Sequence, residues 1–187
     1  MEGKPIQGLK VSKLRKHQMV EKIFTSKTIS EQKKKDAFAK LAEIDSSDML
    51  ERTKKYCEAC VPDYEAKRTV WLGLMEMKEE VGVQGILAYG RGMRQFSQVD
   101  ILDKFADEFF EKIENLVASK GQSVSERVYL FLQPNMRAVD EDINRYTTFL
   151  AKLESQQKQE STERLIKWVK ESIQDVNEKK AARDLSR

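Results

Sequence analysis

The stretch Gln98-Val99-Asp100-Ile101-Leu102-Asp103-Lys104-Phe105-Ala106-Asp107-Glu108-Phe109-Phe110-Glu111-Lys112-Ile113-Glu114-Asn115-Leu116-Val117 decides the fold class. Its apolar residues Ile101, Leu102, Phe105, Phe109, Ile113 and Leu116 recur at intervals of three and four, which places them on one face of an α-helix. A half-buried strand would alternate every second residue instead. The spacing predicts one helix from Gln98 to Val117, buried along one side.

The same periodicity extends in both directions, with breaks where capping residues stand. Downstream, Ser123 with Glu126 reads as a capping box for a helix through Val128, Leu130 and Phe131 that stops before Pro134. Asp140, Glu141 and Asp142 form an acidic first turn ahead of the stripe Ile143, Tyr146, Leu150 and Leu153. A last helix from about Thr162 carries Leu165, Val169, Ile173 and Val176 and runs into a charged tail over 178–187. Upstream, Leu14, Met19, Val20, Ile23 and Phe24 predict a helix over Val11–Phe24, after a lead over 1–10 with Gly3, Pro5 and Gly8. Thr28 with Glu31 and Asp48 with Glu51 read as two further caps. Pro62 suits a first helical turn, and Asp63 complements the positive end of the helix dipole. Gly82, Gly85, Gly90 and Gly92 predict a looser stretch over Val81–Met93.

About nine helices with short links predict an all-α fold: antiparallel helix pairs stacked as an armadillo/HEAT-like solenoid, in one helical domain over 1–187. The composition agrees. Charged residues are 35% of the 187, against about 25% in an ordinary globular chain. Glycine (8) and proline (3) are scarce, and 40% hydrophobic content is too high for wholesale disorder. No apolar run approaches the ~20 residues that span a bilayer, so the expectation is no membrane segment and a cytoplasmic setting.

Histidine chemistry is bounded by a single residue, His17, which cannot build a His-Glu-x-x-His zinc site alone. Phosphate-loop, dinucleotide-turn and nucleophile-elbow patterns are absent as well. His17, between Lys16 and Gln18, reads as a surface histidine or, more sharply, as a pH sensor. Cys57 and Cys60 form a Cys-x-x-Cys that reads as two small buried side chains, or as a redox or metal pair. Lys33, Lys34 and Lys35 read as a solvated face rather than a nucleic-acid patch, because acids interleave them and aromatics do not. Arg91, Arg94 and Arg127 are the candidate carboxylate-binding residues, since a guanidinium donates two parallel hydrogen bonds to a carboxylate. Surface ion pairing is the plainer reading of the same three.

Taken in order, several blocks carry a resemblance. Gly92-Met93-Arg94-Gln95 through Leu102, with Phe105, Phe109 and Phe110, resembles the "Gly-Phe…Gln…Leu-Leu…Tyr…Tyr-Phe" block of the C-terminal helical domain of gluzincin zinc aminopeptidases, the family of aminopeptidase N and puromycin-sensitive aminopeptidase. Asp45-Ser46-Ser47-Asp48, then Ala59-Cys60-Val61-Pro62-Asp63 with Lys67 and Trp71, resemble the same domain's "Asp-x-Ser-Asp … Ala-x-Pro-Asp … Lys … Trp" run. Gly8-Leu9 with Leu14-Arg15, Phe131-Leu132-Gln133-Pro134 and Thr148-Phe149-Leu150 resemble its remaining segments. Met93 stands where the family has Phe, and Lys16 where it has an aromatic. The resemblance implies a non-catalytic domain that encloses the cleft and peptide substrate of a parent hydrolase removing N-terminal residues. It implies zinc in an upstream catalytic domain, and that domain and the peptide as partners, with no nucleic acid. The alternative expectation, from the fold class alone, is a free-standing helical scaffold binding a partner protein.

Overall fold

The computed structural model describes residues 11–77, 81–157 and 159–185. Among these, every regular element is helical. The elements are α1 (Lys13–Thr25), α2 (Glu31–Ala42), α3 (Asp48–Cys60), α4 (Tyr64–Glu76), α5 (Val83–Met93), the short α6 (Val99–Leu102), α7 (Ala106–Ser119), α8 (Gln122–Leu132), α9 (Asp140–Glu154) and α10 (Glu160–Leu185). The chain is all-α, as its periodicity predicts. Successive contacts of α1 with α3, α3 with α5 and α5 with α8 make a row, while α10 packs on α9 and α7.

Helix starts follow local capping chemistry, displaced slightly from the sequence reading. Ser12, Ser30 and Ser47 are the N-caps of α1, α2 and α3, their hydroxyls accepting from Arg15, Lys33 and Met49 N–H. Thr28 and Asp48 therefore are not caps. Asp63 caps α4 through Oδ1, 2.9 Å from Ala66 N, so Pro62 precedes the helix rather than opening it. Gly121 precedes α8 without a side-chain cap, so Ser123 lies inside that helix. The expected acidic first turn of α9 is present, with Asp142 accepting from Val139 N. The lead over 1–10 lies outside the described residues. The expected charged tail is helical to Leu185, with Lys180 paired to Asp140 and Arg183 donating to the Arg137 carbonyl.

Two larger departures have tertiary causes. The predicted helix over 98–117 is broken by a 3₁₀ turn at Asp103–Phe105. Phe105 there stacks between Tyr64, at 5.3 Å, and Trp71, at 5.5 Å between ring centroids. The ring slot, set by α4, overrides a uniform helical twist. Conversely, the glycine-bearing stretch is a regular, well-packed α5. A Cβ at Gly92 would stand 2.5 Å from the Tyr56 carbonyl oxygen of α3, and one at Gly90 2.2 Å from the Phe131 ring of α8. Glycine here permits close helix approach rather than looseness.

One large core runs from Ala59 on α3 through Trp71, Ile86, Phe109, Val128, Tyr146 and Leu153 to Val169 and Val176. A second, smaller cluster joins α1, α2 and α3 through Val20, Leu41, Tyr56, Cys57 and Cys60. Leu14 and Met19, expected on the inner face of the first helix, are exposed.

Candidate functional site

Functional chemistry concentrates where α1, α3 and α5 meet, and burial sorts its groups into structural and available ones. Lys67, four residues into α4, is fully buried. Its Nζ donates to the Ala59 carbonyl at 2.8 Å and the Met93 carbonyl at 3.4 Å. These carbonyls belong to the last turns of α3 and α5, where unsatisfied backbone acceptors and the negative dipole ends favour a cation. Desolvation nevertheless pulls the ammonium down to about 8. Gln98, almost fully buried, donates from Nε2 to the Cys60 carbonyl at 2.9 Å, closing the same junction.

His17 is the sharpest correction to the sequence reading. It is 2% exposed, with Nε2 2.8 Å from Asp45 Oδ2 and Nδ1 2.8 Å from Thr53 Oγ1. A carboxylate only accepts, so Nε2 carries a proton and donates. That bond and the Ser47 backbone N–H hold the Asp45 carboxyl down at about 2. Hydroxyl, imidazole and carboxylate stand in the order of an acyl-transfer relay. Thr53 is also 2% exposed, so no substrate carbonyl reaches its hydroxyl. The trio is a clamp that fastens α1 to the α2–α3 link and to α3.

The three candidate arginines have separate fates. Arg94 is spent on the fold: NH1 donates to the Leu130 carbonyl at 3.2 Å and NH2 to Asn135 Oδ1 at 2.8 Å. Arg127 curls back onto Ser123 of its own helix. Arg91 alone presents its guanidinium outward, at 62% side-chain exposure, over the Tyr56 ring at 5.5 Å and 3.6 Å from Glu21. It borders a groove of about 610 Å³ with Arg15, Lys22, Met19, Ile23 and Tyr56. Burial raises the Glu21 carboxyl against the pull of Arg91. This groove, basic at its rim and apolar between, suits a carboxylate attached to an apolar body.

Lys34, read as solvated, is 2% exposed with its ammonium on Glu31. Cys57 and Cys60 are buried free thiols, and desolvation pushes Cys60 up to about 12, so neither is a ready thiolate. Zinc does not fit these residues: both His17 nitrogens are engaged, and no group of three or more ligand-type side chains is gathered among the described residues. No helix among them is long and apolar enough to cross a membrane. No known protein family matches the chain, and no curated protein is significantly similar to it.

Proposed function

We infer that the chain is the non-catalytic C-terminal helical domain of a zinc aminopeptidase, a wall that encloses the peptide while chemistry is supplied from an upstream domain. One observation carries this reading. The residues on which the resemblance rests are those that fix helix ends and tie helices together. Ser47 and Asp63 cap α3 and α4, Asp45 anchors His17, Lys67 and Gln98 join the ends of α3 and α5, and Trp71 and Phe105 stack in the core. A shared architecture would preserve this set, and shared chemistry would not need it. Arg91 is the residue we assign to the peptide, its guanidinium taking a carboxylate while Met19, Ile23 and Tyr56 meet apolar side chains. The contribution to catalysis is positional: holding the body of the substrate and excluding bulk water from a cleft completed elsewhere. Two buried free thiols accord with a cytoplasmic parent.

The test is the transcript 5′ of the Met1 codon. A continuous frame encoding His-Glu-x-x-His supports the reading, and an in-frame stop directly upstream overturns it in favour of a free-standing scaffold. The purified 187-residue chain with added zinc should hydrolyse aminoacyl-arylamides no faster than a protein-free control. Turnover above that control would show that the chain itself is catalytic.

A further inference from the structure

Phe96 is 81% exposed, although side-chain hydrogen bonds on both flanks tie down the turn that carries it. On one side, Gln95 Nε2 donates to Tyr56 Oη at 3.1 Å and to the Arg91 carbonyl at 3.0 Å. On the other, the buried Gln98 is bonded to the Cys60 carbonyl. The 3₁₀ turn Phe96–Gln98 is thus stapled to α3 and α5 at both ends, with the ring outside. A rigidly presented aromatic loses little entropy on burial and is the usual form of an interface anchor. Tyr56 and Arg91, to which Gln95 is bonded, line the α1–α5 groove with the cations Arg15 and Lys22 and the carboxylate Glu21, while Asp100 is exposed on the other side of the turn.

A second region has the complementary character. A groove of about 520 Å³ between α7 and α9 is floored by Phe110 and Phe149 and edged by Asp107, Glu111 and Glu141. Its cations are already engaged. Arg145 meets Asp103, Asp107, Glu141 and Asp142, and Lys152 meets Glu114. The same contacts engage Asp107 and Glu141, so the three lining carboxylates exceed the two cations by one charge, that of Glu111, while the Lys152 ammonium lies over the Phe149 ring.

We propose that copies of this chain associate head to tail, Phe96 and the basic α1–α5 end of one entering the acidic, aromatic groove between α7 and α9 of the next. The two surfaces differ, so the contact is heterologous and each copy keeps one knob and one socket free to extend the assembly. Opposite charge on the two rims sets orientation and makes the association salt-sensitive. The contact shares Arg91 with the peptide reading, and sedimentation without peptide or zinc separates the failure of one from the failure of the other.

Sedimentation velocity on the full chain over a concentration series tests it. The mean mass should rise with concentration at low ionic strength and fall in about 0.5 M salt, where the screening length is roughly half its physiological ~8 Å. Phe96→Asp and Glu111→Lys should each weaken association at least about tenfold, equivalent to 1.4 kcal/mol, with unchanged thermal unfolding. Mixing the two variants should then yield a 1:1 dimer that grows no further, because one intact knob meets one intact socket. A wild-type chain that stays monomeric, association that survives Phe96→Asp, or a mixture that stays monomeric would each overturn the proposal. Association abolished by Met19→Asp but not by Phe96→Asp would assign the interface to α1 instead.

Discussion

His17 bonds to residues 28 and 36 positions away, Asp45 and Thr53. Removing the imidazole leaves the buried Thr53 hydroxyl without its partner and strips the buried Asp45 carboxylate of its imidazole donor, leaving it the Ser47 N–H and Lys13 at 3.8 Å. His17→Ala should therefore cost about 2–4 kcal/mol of stability, read as a lower urea midpoint. The pH dependence has a definite sign. The Asp45 pKa falls from 3.8 to about 2 on folding, so the unfolded chain takes up that proton first. The stabilisation is present above about pH 4 and is lost as the pH falls toward 2, and wild type should lose its advantage over His17→Ala across that window. Lys67 runs the other way: its folded value is about 8 against 10.5, so the unfolded chain holds the proton longer and stability gains as pH rises between the two. The urea-midpoint difference between wild type and Lys67→Met, followed from pH 7.5 to 10.5, isolates that gain from the opposing cysteine titrations; a flat difference would show the ammonium to be fully compensated by the two carbonyls. None of this is legible in sequence. A histidine between a lysine and a glutamine looks exposed, and only the fold brings its partners in. Arg94 is lost to the candidate site for the same reason, because Asn135 lies 41 residues on.

At the scale of elements, glycine position separates two opposite outcomes. Gly92→Ala would drive a methyl into the Tyr56 carbonyl and should cost about 1–3 kcal/mol, with Gly90→Ala, against the Phe131 ring, similar. Gly73, inside α4, has nothing within 4 Å of a would-be Cβ, so Gly73→Ala should stabilise by about 0.5–1 kcal/mol. Paired thermal melts of the three variants check both signs. Helix existence was legible because amphipathic spacing is a property of the segment alone, as in α7, α9 and α10. The role of Gly90 and Gly92 was not, since close approach is a property of two helices. The 3₁₀ turn at Asp103–Phe105 escaped for an equivalent reason: its ring slot is built by α4.

Across the whole molecule, the division into a large core and a small one implies unequal resistance to opening. The α1–α3 cluster rests on Val20, Leu41, Tyr56, Cys57 and Cys60, while α7 to α10 share the larger core. Native-state hydrogen exchange should show α1 and α2 amides opening at lower free energy than those of α7 and α10, and His17→Ala should widen the gap. Equal protection throughout would mean that the clamp makes both regions one cooperative unit. The all-α class was readable from the chain, yet the peptide-facing surface was only partly so: of three candidate arginines, Arg91 alone keeps an outward guanidinium.

The buried polar hub at Gln133 joins helices made at very different times during translation. Gln133 Oε1 accepts from Tyr146 and from Ser172, and Ser172 in turn meets Tyr129. Ser172 belongs to α10, as do the core residues Leu165, Trp168, Val169 and Val176. A nascent chain that has exposed α4 to α9 beyond the ribosome still holds an unfilled apolar slot, with the Tyr129 hydroxyl and Gln133 Oε1 lacking their serine. Emergence of α10 from the exit tunnel, with chaperone shielding of the slot until then, therefore governs when this fold can close.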